Sequence, residues 1–491
     1  MNKNEKYVED TKKSAMWFTV LPFTTQMARF INSLILARLL SPEAFGIIGI
    51  VSVLMYYSDT FSDFGFGKAI IQRKRVKELH FKSYFTFNLI ISLLLFTLIT
   101  YYSDNIAIFF EIEVLSDAFD VFAIYIVITA FLTPIKIKLS REIKYKTLAI
   151  IDAFRFGIQI PISLTLAING FDFWSIIYAM IAGQLFALVV FLVINKGFIL
   201  PTTKLLFLRT MFNFSKWDFV AGQANLLSES ADKLFLAKIL GASYVGLYDR
   251  AQGIAVMPYM QISQKLSIVS FSSFSRFQDS PKELDYYFGR LMSFQALLVI
   301  PMLLGLSSVS EPFVSSLLGE KWLEMIPTLK LMSFAFLIGA LANPFSSLNT
   351  ATGFISLQTK VSLLCLGVLL ITLYNFTQYG INAVAYCLIM FQLLRLITNC
   401  IISKIKVNVS ILFAASAIFP FLLAGILMFV SVRVVYSMQL TLTDWKYLVL
   451  LIATGASVYT LSVLFIPLQS SNFVRQKVKN AINRLKLKIS H

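Results

Sequence analysis

The sequence predicts an all-α, polytopic membrane protein of about fourteen transmembrane helices, built as two six-helix lobes in parallel repeat and followed by two further helices. Composition is the first reason. Of 491 residues, 57% are hydrophobic and only 14% charged, where soluble proteins carry about a quarter charged, and the mean hydropathy is +0.74. The second is the spacing of apolar runs, each about 20 residues long and so able to cross the hydrocarbon. The third is an internal echo. Ile35-Leu36-Ala37-Arg38-Leu39-Leu40 followed by Gly46 recurs 200 residues later as Phe235-Leu236-Ala237-Lys238-Ile239-Leu240 followed by Gly246. Each copy ends an apolar helix on a base, turns and starts another. Because six helices, an even number, separate the copies, both cross in the same direction, which makes the repeat parallel.

Taken in order, the polar opening Met1–Lys13 mixes acids and bases, and the apolar run after it is too long for the core of a cleaved signal peptide. It is therefore the first span, Ser14–Leu40. The next five run Phe45–Gly67, Phe81–Tyr102, Ala118–Pro134, Leu148–Ile168 and Phe173–Ile194. The second set comprises Met211–Leu240, Val245–Ser270, Leu291–Val309, Leu323–Leu348, Ile355–Tyr374 and Ile381–Ile402. Val409–Val432 and Trp445–Ile466 complete the count. These spans divide the chain into an N-lobe (1–200), a C-lobe (201–406), a trailing helix pair (407–470) and a basic amphipathic tail (471–491) expected on the anionic inner leaflet.

The loops test this parse independently, since bases collect on the cytoplasmic side. With the N-terminus inside, one inner loop carries Arg73, Lys74, Arg75, Lys77 and Lys82, and another carries Lys136, Lys138, Arg141, Lys144 and Lys146. Later inner connections carry Lys196, Lys204 and Arg209, then Arg276, Lys282 and Arg290, then Lys404 and Lys406. The longest outer loop, Ser103–Asp117, carries four acids and no base. Both termini are thus placed in the cytoplasm. The net charge of +17 then marks inner loops rather than a nucleic-acid surface, and nucleic acid is excluded as a partner.

Catalysis has little to draw on. His80 and His491 are the only histidines, and Cys365, Cys387 and Cys400 all fall in apolar segments, so neither an imidazole metal site, nor a disulfide framework, nor a Ser/His or Cys/His pair is expected. Gly65-Phe66-Gly67-Lys68 lacks the spacing of a phosphate-binding loop. The chain reads as a non-enzyme with no cofactor, driven by an ion gradient, the membrane potential or its substrate's own gradient.

Polar side chains inside the spans are costly and mark cavities or partners. They fall in register on several helices: Gln26, Arg29 and Ser33; Ser52, Tyr56, Asp59 and Asp63; Asp152, Arg155, Gln159 and Ser163; Asp218, Asn225, Glu229 and Asp232; Gln392, Arg395, Asn399 and Ser403. One shared polar cavity between the lobes accounts for the stripes together; interhelical glue is the alternative for any one of them. Arg29, Arg155, Arg250 and Arg395 are the candidates for holding an anionic head group, because a guanidinium offers a planar donor fork to phosphate oxygens, with Gln26 and Asn225 beside them. Pairing with Asp59, Asp63, Asp152 or Asp249 is the competing reading, and Asp152–Arg155, three residues apart, is the pair best placed to neutralise itself. Asp59, Asp63, Glu229 and Asp232 are the candidates for coupling a cation, H+ or Na+.

At these residues the chain resembles the Wzx-type polysaccharide-export flippases of the multidrug/oligosaccharidyl-lipid/polysaccharide superfamily, the branch with colanic and teichuronic acid transporters. The matching stretches are Leu36–Gly46 (LARLLSPEAFG), Asp63–Gln72 (DFGFGKAIIQ) and Gly246–Ala251 (GLYDRA). The resemblance implies a cationic central cavity that moves an undecaprenyl-diphosphate-linked oligosaccharide from the inner to the outer leaflet of the bacterial cytoplasmic membrane, alongside membrane lipids and the polymerase and glycosyltransferase machinery of a surface polysaccharide. It carries the family's cavity bases onto Arg29 and Arg250. The acidic seventh helix departs from that pattern: Asp218, Glu229 and Asp232 either pair with Lys233 and neighbouring bases or bind the coupling cation. Two rivals stand beside this reading. One is a cation-coupled multidrug antiporter of the same superfamily, for which Asp59 and Asp63 would be the exchanging acids. The other is a membrane polymerase or ligase, which would need a sizeable outer loop.

Overall fold

A computed structural model describes residues 24–465 apart from 196, 279 and 439–443. The polar opening, the start of the first span, the end of the last span and the basic tail lie outside the described residues. Every regular element among those described is helical, as the bilayer requires of an open chain whose backbone groups must be satisfied internally.

Residues 24–39 form the described part of α1. The first set continues with α2 (Pro42–Asp63), α3 (Phe66–Gln72), α4 (Glu78–Phe110), α5 (Leu115–Arg141), α6 (Tyr145–Ile168) and α7 (Trp174–Asn195). A short α8 (Leu206–Arg209) leads into α9 (Phe212–Leu240) and α10 (Ala242–Pro258); a π turn at Tyr259–Gln264 joins α10 to α11 (Lys265–Phe277). Then come α12 (Pro281–Leu317), α13 (Ile326–Ala351), α14 (Ile355–Phe376), α15 (Ile381–Ile402), α16 (Ile411–Ser437) and α17 (Asp444–Phe465). Eleven of the described helices are long and apolar enough to cross a bilayer. The other three predicted spans correspond to α1, to α9 and to the α10–α11 run. Charge explains why α9 reads weakly: it carries Lys216, Asp218, Glu229, Asp232, Lys233 and Lys238.

Two compact units divide the chain, Met1–Leu247 and Tyr248–His491. Inside the first, α4 packs on α5, α6 on α7, α5 on α7 and α2 on α5. Inside the second, α12 packs on α13, α14 on α15, α13 on α15 and α11 on α13. These are the same pairings in the same chain order, so each unit repeats one packing plan. The trailing pair α16 and α17 pack on each other and on α12.

The repeated motif itself is a packing device. Ser41 caps α2, its Oγ accepting from the Ala44 backbone N at 3.1 Å, with Pro42 in the first turn; the second copy turns at Gly241, whose φ is +86°. The helices that follow meet backbone to backbone. A Cβ on Gly46 would lie 2.5 Å from the Ala242 carbonyl carbon, and one on Gly246 would lie 2.7 Å from that of Pro42 and 2.9 Å from the Gly46 nitrogen. The related residues thus contact each other reciprocally across this approach.

Several boundaries differ from the sequence reading. Helices α4 and α12 have 33 and 37 residues, about 50 Å or more at 1.5 Å per residue, whereas hydropathy marks only their apolar middles. Lys82, Lys136, Lys138, Arg141, Arg276, Lys282 and Arg290 therefore lie on helices, not in loops. For the same reason the outer loop expected at Ser103–Asp117 shrinks to residues 111–114. The second span is broken: Phe64 and Gly65 take positive φ of 48° and 75°, and α3 starts afresh beyond them.

Candidate transport site

The first unit concentrates the polar residues of three stripes around one aromatic ring. Arg29 of α1 lies over Phe156 of α6, its guanidinium carbon 3.2 Å from the ring centroid, and Arg155 flanks the same ring at 4.6 Å. A π face attracts a cation, so the phenyl is shared by two like charges, and Asp152 acts on both of them. Arg155 Nη2 pairs with Asp152 Oδ1 at 3.1 Å, as the i, i+3 spacing allows, and Nη1 donates to Gln184 Oε1 of α7 at 3.0 Å. Gln184 Nε2 in turn donates to Thr129 Oγ1 of α5 at 3.0 Å. Arg155 Nε is enclosed with no acceptor among the described residues. The chain of contacts fixes the Arg155 head and leaves one donor unused.

Arg29 is different. It is exposed and makes no ion pair among the described residues, although the charges of Arg155 and Asp152 both bear on it. Three residues on, Asn32 Nδ2 donates to Ser163 Oγ at 3.3 Å, which pins α1 to α6 beside the cluster. Gln26 lies one turn before Arg29 and is half-buried. Across from them Asp59 of α2 faces the charges of Lys136 and Arg155, and no hydrogen bond or ion pair engages its carboxylate among the described residues.

Asp63, one turn further on, has local work. It accepts from the Gly67 backbone N at 3.1 Å and from the Tyr84 hydroxyl, and so holds the α2–α3 corner against α4. Ser62–Ser92 at 3.0 Å and Asn88 Nδ2 to Ser62 O at 2.9 Å reinforce that seam. On α9, Asp218 is paired with Lys68 of α3 at 2.8 Å, Asn225 and Glu229 are exposed, and buried Asp232 accepts from the Lys233 backbone N at 2.8 Å.

In the second unit Arg395 of α15 donates to Gln392 one turn back at 3.3 Å and lies 5.6 Å from the Phe391 centroid. Its neighbours on the stripe are glue. Asn349 Nδ2 donates to Asn399 Oδ1 at 3.3 Å, and Ser403 Oγ donates to Asn349 Oδ1 at 2.7 Å, all buried between α13 and α15. Arg250 stands on α10 beside Asp249, the charge that bears most on it. No group of His, Cys, Asp and Glu able to hold a metal ion occurs among the described residues.

Sequence reasoning missed Phe156, Gln184, Thr129, Tyr84 and Lys136. Phe156 adjoins Arg155 in the chain and Lys136 was placed in a loop; the other three signal nothing without tertiary contacts.

Residues 35–327 match the polysaccharide biosynthesis protein family. The chain belongs to this family. Among its relatives, an uncharacterised membrane protein in the cps region of Klebsiella pneumoniae is 25% identical, over 97% of this chain and 99% of that one. The lipopolysaccharide biosynthesis protein WzxC of Escherichia coli is 25% identical over 72% of each chain. The teichuronic acid biosynthesis protein TuaB of Bacillus subtilis is 26% identical over 59% of this chain and 61% of its own. The fold is shared with the lipid II flippase MurJ in an inward closed conformation, at a TM-score of 0.76 and 15% identity over 94% of this chain and all of that one. It is shared more loosely with an inward-facing multidrug resistance transporter, itself of the MOP superfamily, at 0.60 and 13% identity over 78% of this chain and 94% of that one.

Proposed function

We propose that the protein translocates an undecaprenyl-diphosphate-linked oligosaccharide from the inner to the outer leaflet of the bacterial cytoplasmic membrane, for the synthesis of a surface polysaccharide. The observation that carries this reading is the Arg29–Phe156–Arg155 arrangement. Two guanidiniums share one ring, and Arg29, the exposed one, has no acid partner among the described residues. Such a pair suits the adjacent phosphates of a diphosphate, which accept from planar forks. In the bound state the phosphates displace water from Arg29, the sugars lie along the polar faces of α1, α2 and α6, and the lipid chain stays in hydrocarbon. Alternating exposure of this site to the two sides completes the transfer, and no covalent bond is made or broken.

Asp59 supports a coupling role, since its carboxylate has no hydrogen-bonded partner among the described residues yet faces two bases; binding H+ or Na+ there would change the charge that an arriving anion meets. The same unpartnered acid is what a cation-coupled drug antiporter would use, so cationic-drug efflux by expressing cells is the discriminating outcome. The test of the main reading is leaflet exchange of the lipid-linked oligosaccharide in vesicles holding the purified protein. Arg29→Ala lowers the rate at least about tenfold with unchanged thermal stability, and Arg29→Lys recovers part of it. Normal exchange by Arg29→Ala removes the arginine pair from the mechanism.

A further inference from the structure

We propose that a phenylalanine-lined cavity in the first unit, separate from the arginine pair, holds the isoprenoid chain of a polyprenyl phosphate with its phosphate against Arg209. This rests on the reading above that the cargo travels on a polyprenyl lipid. The cavity measures about 420 Å³ and is walled by Phe61, Phe64, Phe66, Phe87 and Phe212, with Leu205 and Arg209 also on its lining. That volume lies within the roughly 300–1,000 Å³ of small-molecule sites, enough for the part of a long chain nearest its head group.

The backbone is bent to build it. Phe64 sits in the left-handed region at φ +48°, a conformation that a bulky residue adopts only when its surroundings enforce it. From there its ring stacks on Phe219 at 4.5 Å and on Phe212 at 5.9 Å, nearly parallel to both, while Phe66 meets Phe87 edge-on at 83°. Faces and edges are thus both presented, which suits a methyl-branched, unsaturated chain better than a straight one. Phe61, Phe212 and Leu205 remain exposed, so the lining is not closed by the protein's own packing.

Charge supplies the head-group end. Arg209 is exposed and makes no ion pair among the described residues. Beside it Arg73 Nη1 donates to Thr210 Oγ1 at 2.7 Å. The acid on the adjoining stretch of α9, Asp218, is occupied by Lys68. An apolar pocket edged by a guanidinium that makes no ion pair among the described residues is complementary to a lipid phosphate, and both belong to segments that the loop charges place on the cytoplasmic side, where a carrier lipid would be loaded.

The experiment uses the full-length protein in detergent, titrated with undecaprenyl phosphate and read by native mass spectrometry. Leu205→Trp, which fills the cavity from an exposed position, and Arg209→Gln, which removes its charge, each weaken binding about tenfold without lowering thermal stability. Wild-type affinity in both variants overturns the proposal, and so does displacement of the probe by an equal concentration of phosphatidylglycerol, which would make the cavity an ordinary phospholipid groove. Leaflet exchange is measured in parallel. Normal exchange with wild-type binding in the variants removes the cavity alone; absent exchange by the wild type, with binding still lost in the variants, removes translocation and keeps the cavity.

Discussion

Alanine at Gly46 or Gly246 probes the repeat where its two copies touch. A Cβ on Gly46 would stand 2.5 Å from the Ala242 carbonyl carbon, and one on Gly246 2.7 Å from that of Pro42, against an ordinary contact of 3.4 Å or more. The carbonyl oxygens of Ala242 and Pro42 come closer still; all the obstructing atoms are backbone, so no rotamer change makes room and the helix starts must part by well over 1 Å. Overpacking of this kind costs about 1–3 kcal/mol, or roughly 2–10 °C in melting temperature on the scale of a domain of this size. Gly253, seven residues further along α10, is the control: a Cβ there meets nothing within 4 Å, and Gly253→Ala is neutral or stabilising by up to about 1 kcal/mol. The contact is reciprocal, so the double variant costs clearly less than the sum of the singles, because the first methyl already opens the space the second needs. Thermal unfolding of the detergent-purified variants measures all four. Strictly additive losses, or none in either single variant, would refute the idea that the motif's glycines exist for this approach.

Other expectations follow from individual contacts. Tyr84→Phe removes the hydroxyl that donates to Asp63 and lowers stability by about 1–3 kcal/mol, the cost of stripping a partner from an enclosed acid, as read from the melting temperature. Asp59→Asn leaves stability unchanged, since no bond is lost, but alters the dependence of transport on the proton or sodium gradient in vesicles. Glu111, in the turn after α4, is held below the usual carboxylate range by the Lys238 ammonium at 2.8 Å. Its lowered pKa means that the pair adds stability above the ordinary carboxylate range and loses it as pH falls through the lowered value. Lys238→Gln should therefore destabilise slightly at neutral pH and not at all in acid, and high salt should erase the difference, because the pair is exposed.

The membrane class, the helical spans and the repeat were legible because they rest on periodic apolar patterning and on a motif copied at a fixed distance. What the pattern could not show was where helices stop being apolar yet continue, as in α4 and α12. Nor could it foresee that Asp63 would close a helix corner rather than stand free. The arginines were visible as costly residues in apolar surroundings, but their partners come from other helices. The Arg29 ring is on α6, and the Arg155 amide is on α7. A stripe of polar letters likewise does not distinguish glue from cavity. Asn399 and Ser403 are buried in bonds to Asn349, while Arg29, reached by the same spacing argument, faces out over an aromatic ring.

The most direct measurement is leaflet exchange by the wild-type protein in vesicles offered, in turn, an undecaprenyl-diphosphate-linked oligosaccharide and a cationic drug. The account predicts rapid exchange of the anionic glycolipid, loss of that exchange in Arg29→Ala, and no drug movement. Drug transport that survives Arg29→Ala, with the glycolipid left in its original leaflet, would contradict it.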